Sequence, residues 1–297
     1  MSKKILVAFI LCILGISYLA WAQNSQTDQK VNYTPANKEC YSAESAGVPW
    51  KYCVYTPAEG KSSGRLAYML HGRSLDENAW NDDTYYTSMI QQYWQKNKIT
   101  PPTVVAVSFG KVWLLAPKGK MPASGLVELF AGAVIPEVEK RVGVPQERIL
   151  FGESMGGLNS LVLGLRKNSL FKKVAALCAP VYLGTPFDSN EDLEKFYERT
   201  GADRQTMAGV IQLAKVFYSD KNEWDNAAPI KVLEQMDTKS APKMYLSCGL
   251  YDKYGNYEGA EHLANLAQEK AIGLEWRPLY GPHCAVDIPS VAEFLAK

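Results

Sequence analysis

Residues 148–157 read Arg-Ile-Leu-Phe-Gly-Glu-Ser-Met-Gly-Gly, a short apolar run that breaks into Gly-x-Ser-x-Gly. The run Ile149–Phe151 suits a buried strand, and the stretch Leu158–Leu165 is compatible with a helix. Gly152, Gly156 and Gly157 allow a sharp turn between the two. A small residue two before and two after the serine lets that turn push the hydroxyl of Ser154 outward. Strand before and helix after is the context that separates this pattern from an ordinary Gly-rich turn, and it nominates Ser154 as a nucleophile. The serine then lies at a helix N-terminus, where the backbone N–H of Met155 is free to donate to an oxyanion.

The rest of the chain supplies the setting that such a turn needs. Strands are expected at Trp50–Tyr55, Leu66–Leu70, Thr103–Ser108, Val174–Leu177, Met244–Ser247 and Leu274–Pro278. Helical patterns fall at Tyr85–Lys96, Leu126–Val142, Tyr257–Ala271 and Ile288–Ala296. Buried strands alternating with helices imply an α/β fold with a mainly parallel central sheet flanked by helices. The chain has 297 residues and 47% hydrophobic content, enough for one large core. We expect a leader over 1–22, an N-terminal lead-in over 23–47 and a single domain over 48–297. The stretch 181–241 is longer than a simple crossover needs and holds three helix-like runs. It reads as a helical insertion between the late strands. Ligand sites in such sheets lie outside the strand C-terminal ends, so an insertion there shapes the substrate pocket.

A serine hydroxyl needs a base to take its proton. The chain holds only three histidines. His262 sits in the polar helical run 261–270 and should face solvent. His71 comes directly after an early strand, in His71-Gly72-Arg73, and reads as part of a loop that shapes an oxyanion site. His283 follows the last strand, in Gly281-Pro282-His283-Cys284, on the sheet edge that carries Ser154. It is the expected base. The carboxylate that holds the base in its tautomer is assigned to Asp252, just past a late strand, over its competitors Asp220, Asp225 and Asp287. Two N–H donors should face the oxyanion, one from Met155 and one from the backbone of Arg73. Trp80, Trp113, Tyr182 and Trp224 lie in loops or the insertion, and Trp113 and Tyr182 are carried forward as pocket residues.

Other features bound the partners. Lys3 and Lys4, the apolar run from Ile5 to Leu19 and the small residues flanking Trp21 read as a cleavable signal peptide, cut after Ala22. The protein is therefore expected to be secreted or periplasmic, with no stable membrane anchor. Formal net charge is +1, and removal of the two leader lysines takes it to −1, which gives no argument for nucleic-acid binding. An exported chain can form disulfides. Cys40 and Cys53 flank a turn-like Ala46-Gly47-Val48-Pro49 and are expected to pair; Cys178, Cys248 and Cys284 remain unassigned. The acidic stretches 76–78 and 81–83 lack ordered calcium-ligand spacing and read as solvated loop. No His/Cys cluster points to zinc, and no Gly-rich phosphate motif points to a nucleotide, so no metal or cofactor is expected.

The pieces Leu70-His71-Gly72, Gly152-Glu153-Ser154-Met155-Gly156-Gly157-Leu158, the tract 171–177, Gly249-Leu250-Tyr251-Asp252 and Gly281-Pro282-His283 together resemble the esterase D-like branch of the α/β-hydrolases. That group includes feruloyl esterases, acetylxylan esterases, S-formylglutathione hydrolases and mycolyltransferases. The resemblance spans about 48–296 and implies an α/β-hydrolase fold with Ser154 as nucleophile, His283 as base and Asp252 as acid. The chain departs from many relatives in carrying Cys284-Ala285-Val286 after the histidine. Tannase-like esterases pair a cysteine before the serine with one after the histidine; Glu153 occupies that position here. These departures keep any one branch's substrate from being carried over; the leader and the Ser154, His283 and Asp252 pattern together lead us to expect an exported serine esterase, and export suggests a small-molecule or polysaccharide-linked ester. Two rivals stay open: an acyltransferase using the same triad, and a non-catalytic binding protein on a hydrolase scaffold.

Overall fold

A computed structural model describes residues 32–112 and 125–297. The leader and Trp113 lie outside these residues. Eight strands form one sheet: β1 (Asn37–Ser45), β2 (Val48–Thr56), β3 (Arg65–Leu70), β4 (Thr103–Ser108), β5 (Glu147–Glu153), β6 (Lys173–Leu177), β7 (Lys243–Tyr251) and β8 (Leu274–Pro282). Their order is β1-β2-β4-β3-β5-β6-β7-β8. β1, β2 and β4 pair antiparallel, and every pairing from β4 through β3 to β8 is parallel.

The alternation of side chains along the central strands builds two separate cores. Leu66, Tyr68 and Leu70 of β3, Leu150 of β5 and Val174 and Ala176 of β6 face one layer. Ala67, Met69, Ile149, Phe151, Ala175 and Leu177 face the other. This is why these strands read as continuous apolar runs rather than alternating ones: both faces are covered. Helices α1 (Tyr86–Lys96) and, at the C-terminus, α10 (Ile288–Ala296) cover the second face through Ile90, Trp94, Val291 and Leu295. The first face is covered by α2 (Leu126–Leu129), α3 (Ile135–Val142), α4 (Met155–Arg166) and helices of the later chain.

Two elements depart from the sequence reading. The sheet starts ahead of residue 48, because β1 lies where only a lead-in was expected and pairs with β2 across a turn at Ala46 and Gly47, both at positive φ. Cys40 stands directly opposite Cys53 in this hairpin, and the two form a disulfide. None of β1's residues is fully buried, so the strand has no apolar period to read. The expected helix 126–142 is interrupted by a π-helical turn over Phe130–Val134. Pro136 has no N–H to offer the carbonyl of Gly132, so the helix widens there instead of continuing uniformly.

Between β6 and β7 the chain runs through α5 (Asn190–Thr200), α6 (Arg204–Phe217), α7 (Lys221–Ala227) and α8 (Pro229–Gln235). Ser189, Asp203 and Asp220 cap the first three, each side chain accepting a backbone N–H three residues on. After β7 comes α9 (Asn256–Glu269). No helix among the described residues is long and apolar enough to cross a membrane.

The buried indole of Trp94 ties α1 to α10, its Nε1 donating to the Ala292 carbonyl at 2.8 Å. Trp94→Ala should therefore cost about 3–5 kcal/mol, read as a lower urea midpoint at unchanged slope.

Candidate active site

The turn between β5 and α4 is built by three close approaches. A Cβ at Gly152 would stand 2.3 Å from the Leu70 carbonyl oxygen, and one at Gly156 only 1.9 Å from the same atom. A Cβ at Gly157 would meet the Leu177 oxygen at 2.8 Å. Only glycine lets the first turn of α4 sit this tightly between the ends of β3 and β6. The residue at the apex carries the strain: Ser154 has φ 53° and ψ −121°. Its N–H is held by the Leu177 carbonyl at 2.9 Å and its own carbonyl accepts the first bond of α4, from Leu158 at 3.0 Å.

This geometry brings the three expected residues together. His283 Nε2 lies 3.1 Å from Ser154 Oγ, and His283 Nδ1 lies 2.8 Å from Asp252 Oδ2. A carboxylate only accepts, so Nδ1 donates to Asp252 and leaves Nε2 to accept the serine proton. Asp252 follows β7, and its side chain is fully buried. Its oxygens are satisfied locally. Oδ1 accepts the Tyr254 N–H at 2.8 Å, and Oδ2 also accepts from the Asn256 amide at 3.3 Å and the Cys248 thiol at 3.6 Å. The Tyr254 ring packs on the imidazole with centroids 4.5 Å apart. Burial and the neighbouring Asp252 push the Cys248 thiol up, so it stays a protonated donor. His283 sits in a tight turn closed by the Ala285 N–H on the Pro282 carbonyl at 3.1 Å.

The alternative partners lie elsewhere. His262 is exposed on α9. Asp220 and Asp287 cap helices, and Asp225 lies within α7. Asp76 and Asp82 accept hydrogen bonds within their own loop, from Asn78 and Thr84. Trp80 is buried, its ring packed against Trp94 of α1 and Phe151 of β5.

The loop after β3 is held from two sides. His71 is buried, with Nδ1 2.7 Å from the Gly72 carbonyl and Nε2 2.8 Å from Ser108 Oγ. The carbonyl only accepts, so Nδ1 carries the proton and Nε2 accepts from the serine. Burial holds its pKa below the usual imidazole value, which keeps it neutral. His71 is thus a brace for the loop, with both ring nitrogens engaged by Gly72 and Ser108. The Gly72 N–H is taken by the Glu153 carboxylate. Met155 opens α4, so its N–H belongs to the first turn, where no intrahelical carbonyl is in reach. The Arg73 side chain is exposed.

Glu153 is the residue that sequence reasoning passed over. It is fully buried between Ser154 and the loop, accepting from Gly72 and, at 3.1 Å, from the Tyr86 hydroxyl. Burial pushes its carboxyl up to about 7, against the opposing pull of the Gly72 N–H and the Tyr86 and Tyr85 hydroxyls. The signal was an acid placed directly after the apolar run Ile149–Phe151 and Gly152.

Tyr182 lies after β6 at the mouth of the insertion, stacked with Trp224 at 6.5 Å and edge-on to Phe196 at 6.1 Å. These three rings, with Leu193, Met207 and Ile211, line a cavity of about 370 Å³. Tyr182 and Trp224 also wall a small cleft that reaches Leu158 and Asn159, on the helix behind Ser154. Lys195, Arg199 and Lys221 on the cavity rim pair with Glu191, Glu258 and Asp188. Among the described residues, only Cys178, His283 and Cys284 bring potential metal-binding atoms together, and the two sulfurs are joined to each other as a disulfide.

A model of the family described as "Putative esterase" matches residues 43–283. A search of curated proteins returns no match. Among solved structures, a ferulic acid esterase is 17% identical, with 89% of this chain and 98% of that one covered and a TM-score of 0.62. An S-formylglutathione hydrolase from Agrobacterium tumefaciens is 14% identical, with 89% and 94% covered and a TM-score of 0.58. A brefeldin A esterase, a bacterial homologue of human hormone sensitive lipase, is 14% identical, with 94% and 84% covered and a TM-score of 0.63. At these identities the likeness is one of fold, the α/β-hydrolase fold.

The buried Glu153 makes stability depend on pH in a defined direction. Its folded pKa, about 7, lies above its ordinary 4.5, so between these values the folded chain holds more protons than the unfolded one. Stability should fall as pH rises through that window, by on the order of 3 kcal/mol. Glu153→Gln, which keeps an acceptor for Gly72 without the charge, should flatten this slope in melting temperatures measured from pH 4 to 8.

Proposed function

The chain belongs to the putative esterase family and is a carboxylic ester hydrolase; from that premise we propose a serine mechanism carried by Ser154, His283 and Asp252. The observation that supports it is the unbroken hydrogen-bonded line from Ser154 Oγ through the imidazole to buried Asp252, with spans of 3.1 and 2.8 Å. Ser154 attacks the acyl carbon as His283 takes its proton. The N–H groups of Met155 and Arg73 stabilise the tetrahedral oxyanion. His283 then protonates the leaving alcohol, and an acyl-serine remains. Water activated by His283 releases the acid. Asp252 orients the imidazole and stabilises its charged form while staying ionised.

The acyl or alcohol part of the substrate lies in the cavity behind Tyr182. Three aromatic rings line it, and the cations on its rim are neutralised by paired acids, which favours an uncharged, apolar group. Export through the leader 1–22 completes this reading. The two disulfides are compatible with it.

Hydrolysis of p-nitrophenyl esters, acetate through laurate, is the direct test. Ser154→Ala should keep the fold and lose at least about 10³-fold in kcat, and His283→Ala should lose nearly as much because the members act as a unit. Full activity in purified Ser154→Ala would overturn the mechanism. Ile211→Trp, which fills the cavity, should raise KM for long-chain esters and leave acetate turnover near wild type; an equal effect on all chain lengths would place the substrate elsewhere.

A further inference from the structure

Cys178 directly follows β6 and Cys284 directly follows His283; the two are joined by a disulfide across 106 residues of sequence. A ring nitrogen of His283 and both sulfurs lie within 4.8 Å of one another. Cys178 is fully buried, and its N–H bonds to the Ser247 carbonyl at 2.7 Å, so its end of the bridge belongs to the rigid centre of the sheet. The other end does not. From Gly281 to Ser290 no residue is fully buried, and β8 is an edge strand with a register shift opposite Gly249 and Tyr251. The turn that carries His283 is therefore anchored only in part, through the half-buried Val286 and Ile288 that follow it and pack on the second core.

Asn256 closes the arrangement. Its Nδ2 donates both to the Cys178 carbonyl at 3.2 Å and to Asp252 Oδ2 at 3.3 Å. Asn256 is fully buried, and among the described residues its Oδ1 has no partner, so the side chain is fixed by these two bonds. The result is a closed circuit: Asp252 to His283, His283 to Cys284 through the peptide bond, Cys284 to Cys178 through sulfur, and Cys178 to Asp252 through Asn256.

We propose that the Cys178–Cys284 bridge, with Asn256, is a clasp that positions the His283 imidazole between Asp252 and Ser154, so that turnover depends on the redox state of this one disulfide. The inference rests on the serine mechanism above. The clasp adds to this partial burial: a covalent tether to Cys178 restricts the turn that carries His283, and misplacing a base by about 1 Å can cost on the order of 10²-fold in rate. A dithiol opens the clasp by thiolate exchange. The S–S bond breaks, both cysteines end as thiols, and the reductant leaves as its cyclic disulfide after giving up two hydrogens.

The test uses the mature chain carrying Cys40→Ala and Cys53→Ala, which leaves this bridge alone and lies away from the site. The protein is reduced with dithiothreitol, freed of reductant without air, and assayed on p-nitrophenyl acetate. We expect kcat to fall about tenfold or more with KM changed less than about threefold, near-ultraviolet circular dichroism unchanged, and full recovery on reoxidation. Cys178→Ala/Cys284→Ala should show the same loss whether or not reductant is added, and Asn256→Ala should lower kcat in the same sense. Unchanged kcat in the reduced protein overturns the clasp. Activity lost together with the near-ultraviolet signal also overturns it, since the bridge is then a fold staple. Ser154→Ala run alongside separates the readings: its full activity would remove the serine mechanism, whereas an inactive Ser154→Ala beside an unaffected reduced enzyme removes the clasp only.

Discussion

The close approach of backbone to backbone at the β5–α4 turn sets everything else in the site. Because Gly156 carries no side chain, the first turn of α4 comes down onto the carbonyl end of β3. That contact fixes the height of Ser154 above the sheet and holds it at φ 53°. It also brings the loop after β3 beside the N-terminus of α4, with the carbonyl oxygens of Leu70 and His71 against Gly156. A methyl group at either Gly152 or Gly156 would have to displace main-chain atoms that hydrogen-bonded strands hold in register, and no side-chain movement relieves that.

Two buried carboxylates lie close to Ser154 with different partners. Asp252 accepts from a backbone N–H, an amide, a thiol and the imidazole. These four donors satisfy its oxygens and fix its direction. Glu153 accepts from Gly72 and Tyr86, in the loop after β3 and the helix beyond it. One carboxylate holds the imidazole of His283 and the other holds the loop after β3. Both lie at strand C-terminal ends, where a parallel sheet leaves loops free to carry polar groups into an apolar setting.

His283 stands on the least supported of these loops. Ser154, Asp252 and the loop after β3 follow strands inside the sheet, whereas His283 follows the edge strand β8. Its position is set by a hydrogen bond, a ring contact with Tyr254 and the disulfide to Cys178. A covalent link adds to the partial packing of Val286 and Ile288 on the second core.

Much of this was legible in the chain alone. Runs such as Leu66–Leu70 and Thr103–Ser108 announce strands buried on both faces, and Gly-x-Ser-x-Gly between strand and helix announces the turn, because both depend on local sterics and local apolar content. With only three histidines available, Ser154, His283 and Asp252 followed from their places after strands. What depended on distant groups was hidden. β1 shows no apolar period because neither of its faces is buried. The π turn before Pro136 reflects a single missing donor. The burial of Glu153, the bracing role of His71 and the Cys178–Cys284 bridge join residues 37 to 106 positions apart. Spacing along a chain carries no record of such neighbours. Only the stacking of parallel strands, which sets the ends of β3, β5, β6 and β8 near one another, decides which polar groups meet.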